Sequence, residues 1–137
     1  MKIDGACHCG FIRFEAEVDP EDTGICHCTD CQMLSGSPFR ASVPAAHENF
    51  RLLSGKPAIY VKTAESGSKR VQAFCPKCGS PIYSTAFDKP DAPYNIRVGA
   101  VRQRDLLVPR DQVWARSAQR WIGSIATLPA FEKEGAD

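Results

Sequence analysis

Gly5-Ala6-Cys7-His8-Cys9-Gly10 near the start of the chain and Phe74-Cys75-Pro76-Lys77-Cys78-Gly79 at its middle decide the fold between them. Zinc prefers four tetrahedral ligands, with Zn–S bonds of about 2.3 Å, and a structural site draws all four from protein. In an extended segment Cys7 and Cys9 project to one face and His8 to the other. The second segment is a knuckle, two cysteines three apart around a tight turn, in which Gly79 is free to take the positive φ such turns need. Joining the pairs gives a closed Cys7, Cys9, Cys75, Cys78 set that ties the N-terminal hairpin to the middle of the chain. Bound structural zinc contributes folding free energy of the order of 10 kcal/mol, which is large for a 15.0 kDa protein.

Between them lies Cys26-His27-Cys28-Thr29-Asp30-Cys31, which combines the two-apart and three-apart spacings in six residues. Its three thiols can converge on a second ion, and no eighth cysteine remains to close that site. Three protein ligands and a vacant fourth position is the arrangement of catalytic zinc. Other readings stand beside it: a single structural site with spare buried thiols, a second inert site completed by His27 or a distant carboxylate, or disulfides. An odd count of seven cysteines and the expectation of an unexported protein weigh against disulfides. His8 and His27, each between ligands, are expected to point away from the metal as packed or supporting histidines.

Three thiolates leave Zn²⁺ at a net charge of −1 and blunt the Lewis acidity that hydrolysis requires. The same site suits a fourth sulfur, because a coordinated thiol is deprotonated outright. A small thiol presented to an electrophile such as an aldehyde is the matching chemistry. A zinc nucleobase deaminase is excluded, since His-x-Glu does not occur in the chain.

The rest of the sequence sets the frame. With 137 residues the chain reads as one domain, 1–137, of ordinary composition: 43% hydrophobic and 24% charged. Segments Phe11 to Val18, Phe39 to Val43, Ala58 to Lys62, Arg70 to Phe74, Pro81 to Thr85 and Asn95 to Val101 read as strands separated by Gly/Pro turns. Helix is expected only after Cys28, near Ala46 to Phe50 and around Trp114 to Trp121. The fold class is therefore mainly β, small antiparallel sheets pinned by metal. A net charge of +1 speaks against nucleic acid and membrane surfaces as partners, and no apolar run reaches a spanning length, so a cytoplasmic protein is expected. Arg97, Arg102, Arg104, Arg110, Arg116 and Arg120 make one stretch locally basic, a solvated face or an attraction for a small anion. The loop Ser35-Gly36-Ser37-Pro38-Phe39-Arg40 follows the ligand turn and is expected to line the pocket, while Trp114 and Trp121 are read as core in preference to a second reading as walls of the pocket.

Taken together, the three cysteine motifs in this order, with Leu107-Val108-Pro109-Arg110, Val113-Trp114, Trp121 and Pro129-Ala130-Phe131 in the tail, resemble the glutathione-dependent formaldehyde-activating enzyme family, which includes centromere protein V. The resemblance covers roughly Gly5 to Phe131. It implies the Mss4-like fold, small twisted antiparallel sheets around a structural zinc, with Cys7, Cys9, Cys75 and Cys78 as the structural ligands. Cys26, Cys28 and Cys31 then match the catalytic-zinc ligands, and the implied activity is a carbon–sulfur lyase joining glutathione and formaldehyde. Gln32 departs from the basic residue usual after the third central cysteine. The competing reading is a non-catalytic zinc module for a protein or nucleic-acid partner.

Overall fold

The computed structural model describes residues 1–135. Two sheets carry the architecture. The smaller has order β1-β2-β5, from Lys2–Ala6, Arg13–Glu17 and Phe50–Ser54. The larger has order β10-β3-β4-β9-β8-β7-β6, built from Gly24–Cys26 (β3), Arg40–Ala45 (β4), Ala58–Thr63 (β6), Lys69–Phe74 (β7), Pro81–Ala86 (β8), Tyr94–Arg97 (β9) and Asp111–Val113 (β10). Among the described residues the only α-helix is α1, Thr29–Ser35, and short 3₁₀ turns include His47–Asn49 and Ala115–Ser117. The mainly β expectation holds.

Alternation decides what each strand buries. In β2, Phe14 and Ala16 turn inward while Arg13 and Glu17 are exposed. In the larger sheet, Val43 lies opposite Ile96, and Ile96 opposite Tyr83. These residues pack on Ile3, Phe14 and Phe50 of the smaller sheet and on Ile12 just before β2 to form one core. Aromatic rings stitch the two layers: Phe50 stacks on Tyr94 with centroids 4.5 Å apart and meets Tyr83 edge-on at 5.3 Å. Gly5 allows the closest approach, because a Cβ there would collide with the carbonyl of Ala100 and the ring of Phe14. The opposite face of the larger sheet is polar, and the site described below lies on it.

Three local expectations are corrected. Cys7 and Cys9 are not on an extended strand: β1 ends at Ala6, and a turn closed by Gly10 N–H to the Cys7 carbonyl (3.1 Å), with Gly10 at φ +82°, brings the two sulfurs together. The sheets are not wholly antiparallel, since β10 pairs with β3 in parallel, Val113 opposite Cys26. Trp114 and Trp121 are exposed rather than in the core. No helix of the described residues is long and apolar enough to cross a membrane.

Candidate metal centres and the cavity beside them

The first cluster stands where the two sheets meet. Cys7 and Cys9 come from the β1–β2 turn and Cys75 and Cys78 from the β7–β8 turn, and their four sulfurs lie within 4.8 Å of one another. Cys7 Sγ is 3.6 Å from Cys9 Sγ, which is 3.7 Å from Cys75 Sγ. A tetrahedron with 2.3 Å bonds has edges of about 3.8 Å, whereas a disulfide needs about 2.05 Å, so the spacing suits a metal and not a disulfide. Backbone amides already point at the sulfurs: Ile12 N–H donates to Cys7 Sγ (3.2 Å), and those of Lys77 and Cys78 to Cys75 Sγ (3.3 and 3.4 Å). Such donors stabilise thiolates. The Cys78 thiol, hydrogen-bonded by Ser80 and by backbone, is drawn down to about 5. Gly79 takes φ +81°, as the knuckle requires.

The second cluster is made by a strand end and a helix start. Cys26 closes β3, Cys28 is the N-cap of α1 with Sγ accepting from Cys31 N–H (3.3 Å), and Cys31 lies one turn inside. Their sulfurs also fall within 4.8 Å, and no fourth His, Cys, Asp or Glu joins them at that spacing among the described residues. Burial, followed by the neighbouring thiols Cys31 and Cys28, pushes Cys26 up to about 12. Burial likewise opposes ionisation of Cys31, but the Arg40 guanidinium, donating to Cys31 Sγ at 3.5 Å, outweighs it and holds that thiol below its ordinary value. Both sulfur sets can hold a metal ion, and soft thiolate donors at these separations suit zinc.

His27 points away from the sulfurs. It is 1% exposed, its Nε2 lies 2.8 Å from Gln112 Oε1, and its backbone N–H donates to the Val113 carbonyl, so it fastens β3 to β10. His8 is exposed, its N–H donating to Ser80 Oγ (3.0 Å) beside the first cluster. Gln32 Nε2 donates to the carbonyls of His27 (2.8 Å) and Ser117 (3.0 Å), and its Oε1 accepts from Gln119. The residue that stands where a basic one is usual thus ties the C-terminal segment to the ligand turn.

The second cluster opens into a cavity of about 420 Å³. Its walls follow from register. Cys26 is opposite Arg40, Ser42 opposite Arg97, Ser84 opposite both Asn95 and Gln72, and Lys62 opposite Arg70. All of these line it, so the polar face of the larger sheet is the cavity wall. Of the loop expected there, Arg40 lines this cavity, while Ser35 and Phe39 line a different one with His8 and Arg104; Gly36 and Ser37 line neither. Of the basic stretch after residue 96 only Arg97 reaches it, whereas Arg102 pairs with Asp4 and Arg110 with Glu21. Sequence reading missed Lys62, Arg70 and Gln72. The signal was the two-apart spacing of Arg70/Gln72 and Asn95/Arg97, polar pairs on strands whose other faces are apolar. Trp114 also lines the cavity, at φ +55°, the one non-glycine residue of the described chain with a positive φ.

A family model described as glutathione-dependent formaldehyde-activating enzyme matches residues 2–117, a span that contains all seven cysteines and the cavity wall. The chain belongs to this family. A curated relative named as an uncharacterized lyase, from Schizosaccharomyces pombe, is 31% identical over 86 residues, 60% of this chain and 56% of that protein. The match to that lyase therefore spans little more than half of its length. The crystal structure of a Rhodobacter sphaeroides protein superposes with a TM-score of 0.61 at 21% identity, covering 80% of this chain and 99% of that one. That likeness is one of fold, and it agrees with the fold expected of the family.

Proposed function

We propose that the protein is a zinc-dependent carbon–sulfur lyase of the glutathione-dependent formaldehyde-activating type, joining a small thiol such as glutathione to an aldehyde such as formaldehyde. Cys26, Cys28 and Cys31 hold the reactive ion, and Cys7, Cys9, Cys75 and Cys78 hold a structural one. The observation that carries this reading is that the three-sulfur set, with no fourth donor beside it among the described residues, forms part of the wall of a cavity of about 420 Å³.

A zinc ion bound there supplies an open position at which a substrate thiol is held as thiolate. The remaining tasks belong to the chain. Cys28 at the N-cap of α1 and Arg40 against Cys31 fix the sulfurs in place. Arg70 and Arg97 make the wall attractive to a thiol that carries an anionic group. In the addition a sulfur lone pair forms the C–S bond, the carbonyl π pair moves to oxygen, and that oxygen takes the proton the thiol gave up. The product is a hydroxymethyl thioether, and the lyase direction reverses each step.

Metal analysis with thiol binding tests the proposal. Two zinc ions per chain are expected, the second competed by glutathione, and Cys28→Ala is expected to retain one zinc and its fold while losing thiol binding. One tightly held ion together with indifference to thiols would instead mark a non-catalytic zinc module.

A further inference from the structure

The cavity wall contains two guanidinium groups, Arg97 and Arg70, that no carboxylate of the described chain pairs with. Arg97 is 8% exposed, yet it donates only to neutral oxygens, through Nη1 to Ser42 Oγ (2.8 Å) and through Nη2 to Gln72 Oε1 (2.9 Å), and its Nε has no partner. Arg70 likewise donates to the Ser84 hydroxyl (3.2 Å). Neither has a carboxylate within ion-pair reach among the described residues. The other two cations of the lining are already matched, Arg40 by the Cys31 sulfur and Lys62 by Asp30 at 2.9 Å. Asp22 and Asp111, the acidic members of the lining, are exposed and pair with neither arginine. Taking a guanidinium out of water without an anion is costly, and a folded protein keeps such a group where a ligand completes it. Burial, then the nearby Arg40, bring Arg97 down to about 9, against the opposing pull of the Cys31 and Cys26 sulfurs.

We propose that Arg97 and Arg70 form a carboxylate subsite that selects, among small thiols, those carrying an acid group on the same molecule. This deepens the thiol-lyase reading and rests on it, because the sulfur end is assigned to the three-cysteine set. Arg97 from β9 and Arg70 from β7 each have terminal guanidinium N–H groups beyond those given to Ser42, Gln72 and Ser84, donors suited to the two oxygens of a planar carboxylate. The cavity is at the small end of ligand pockets, which favours a short thiol acid over a thiol built on a nucleotide.

Calorimetric titration of the zinc-loaded protein with 3-mercaptopropionate and with 3-mercaptopropan-1-ol, which differ only in the acid group, tests the assignment. The acid is expected to bind at least tenfold more tightly, and the ratio to fall to within about threefold in Arg97→Gln and in Arg70→Gln, with affinity for the alcohol little changed. Raising the salt concentration should weaken the acid alone. Should Arg97→Gln fail to fold, the more exposed Arg70→Gln carries the measurement. Equal binding of the two thiols by the wild type would overturn the subsite and leave the lyase reading intact, and an undiminished ratio in the variants would overturn the assignment to these arginines. Failure of both thiols to bind would overturn the two readings together.

Discussion

Cys78 illustrates how much rests on single sulfurs. Its thiol is exposed at the surface, but it is the fourth corner of a set that joins two sheets. Cys78→Ala is expected to lose that zinc and with it cooperative folding, measured as one zinc per chain at most and loss of a sigmoidal melting curve. Cys28→Ala leaves the fold in place, because its cluster borders a cavity rather than an interface between layers. The raised Cys26 thiol sets a pH dependence. With its value at about 12, Cys26 is protonated near neutrality in the metal-free protein and must release that proton when zinc binds. The affinity of the three-sulfur set therefore rises with pH, at least tenfold per unit between pH 6 and 8, and zinc addition in weak buffer should release at least one proton per ion. Gly5 gives a test of packing. Gly5→Ala forces a methyl into the Ala100 carbonyl and the Phe14 ring, and a loss of roughly 1–3 kcal/mol is expected by denaturant melting with zinc content unchanged.

At the scale of elements, the ligand strand β3 is held on both sides, by β4 and by the parallel strand β10. Gln32 adds three hydrogen bonds, one tying α1 to the His27 carbonyl just after β3 and two tying it to residues 117 and 119. Gln32→Ala is expected to cost about 1–3 kcal/mol and to speed amide exchange selectively in β10 and the following turn, read by hydrogen exchange. The sequence disclosed these elements unevenly. A strand with strong alternation, β2, was legible within two residues of its ends, and β4, bounded by Gly/Pro turns, as closely. β3 and β10, each three residues long, were not, because Gly-Ile-Cys and Asp-Gln-Val carry no period and their pairing spans the length of the chain. The cysteine sets were legible because thiol spacing is a constraint written locally and zinc closes it in few ways. The arginine wall was not, since which strands lie side by side is a property of topology: Arg70 and Arg97 come from strands with β8 between them.

For the whole molecule, the two sulfur sets play separable parts. A mild chelator should remove one equivalent of zinc while circular dichroism stays unchanged, and removal of the second equivalent should coincide with unfolding. The order follows from ligand count, three donors against four, and from position, beside a cavity against between layers. Loss of both ions in one step, or unfolding with the first, would contradict the division.

Cys9 and Cys75 are separated by 66 positions along the chain and by 3.7 Å in space. An unfolded polymer rarely brings such distant points together, and the entropy of that encounter, on the order of 4 kcal/mol, burdens every assembly route that must begin with it. A thiophilic ion captured early by one pair of cysteines gives the other pair something to find, so metal supply should govern how fast this protein matures as well as how firmly it stands. Stopped-flow refolding with stoichiometric zinc should outpace refolding in chelator by about an order of magnitude or more, and nascent chains made under zinc starvation should be the ones that cellular proteases remove.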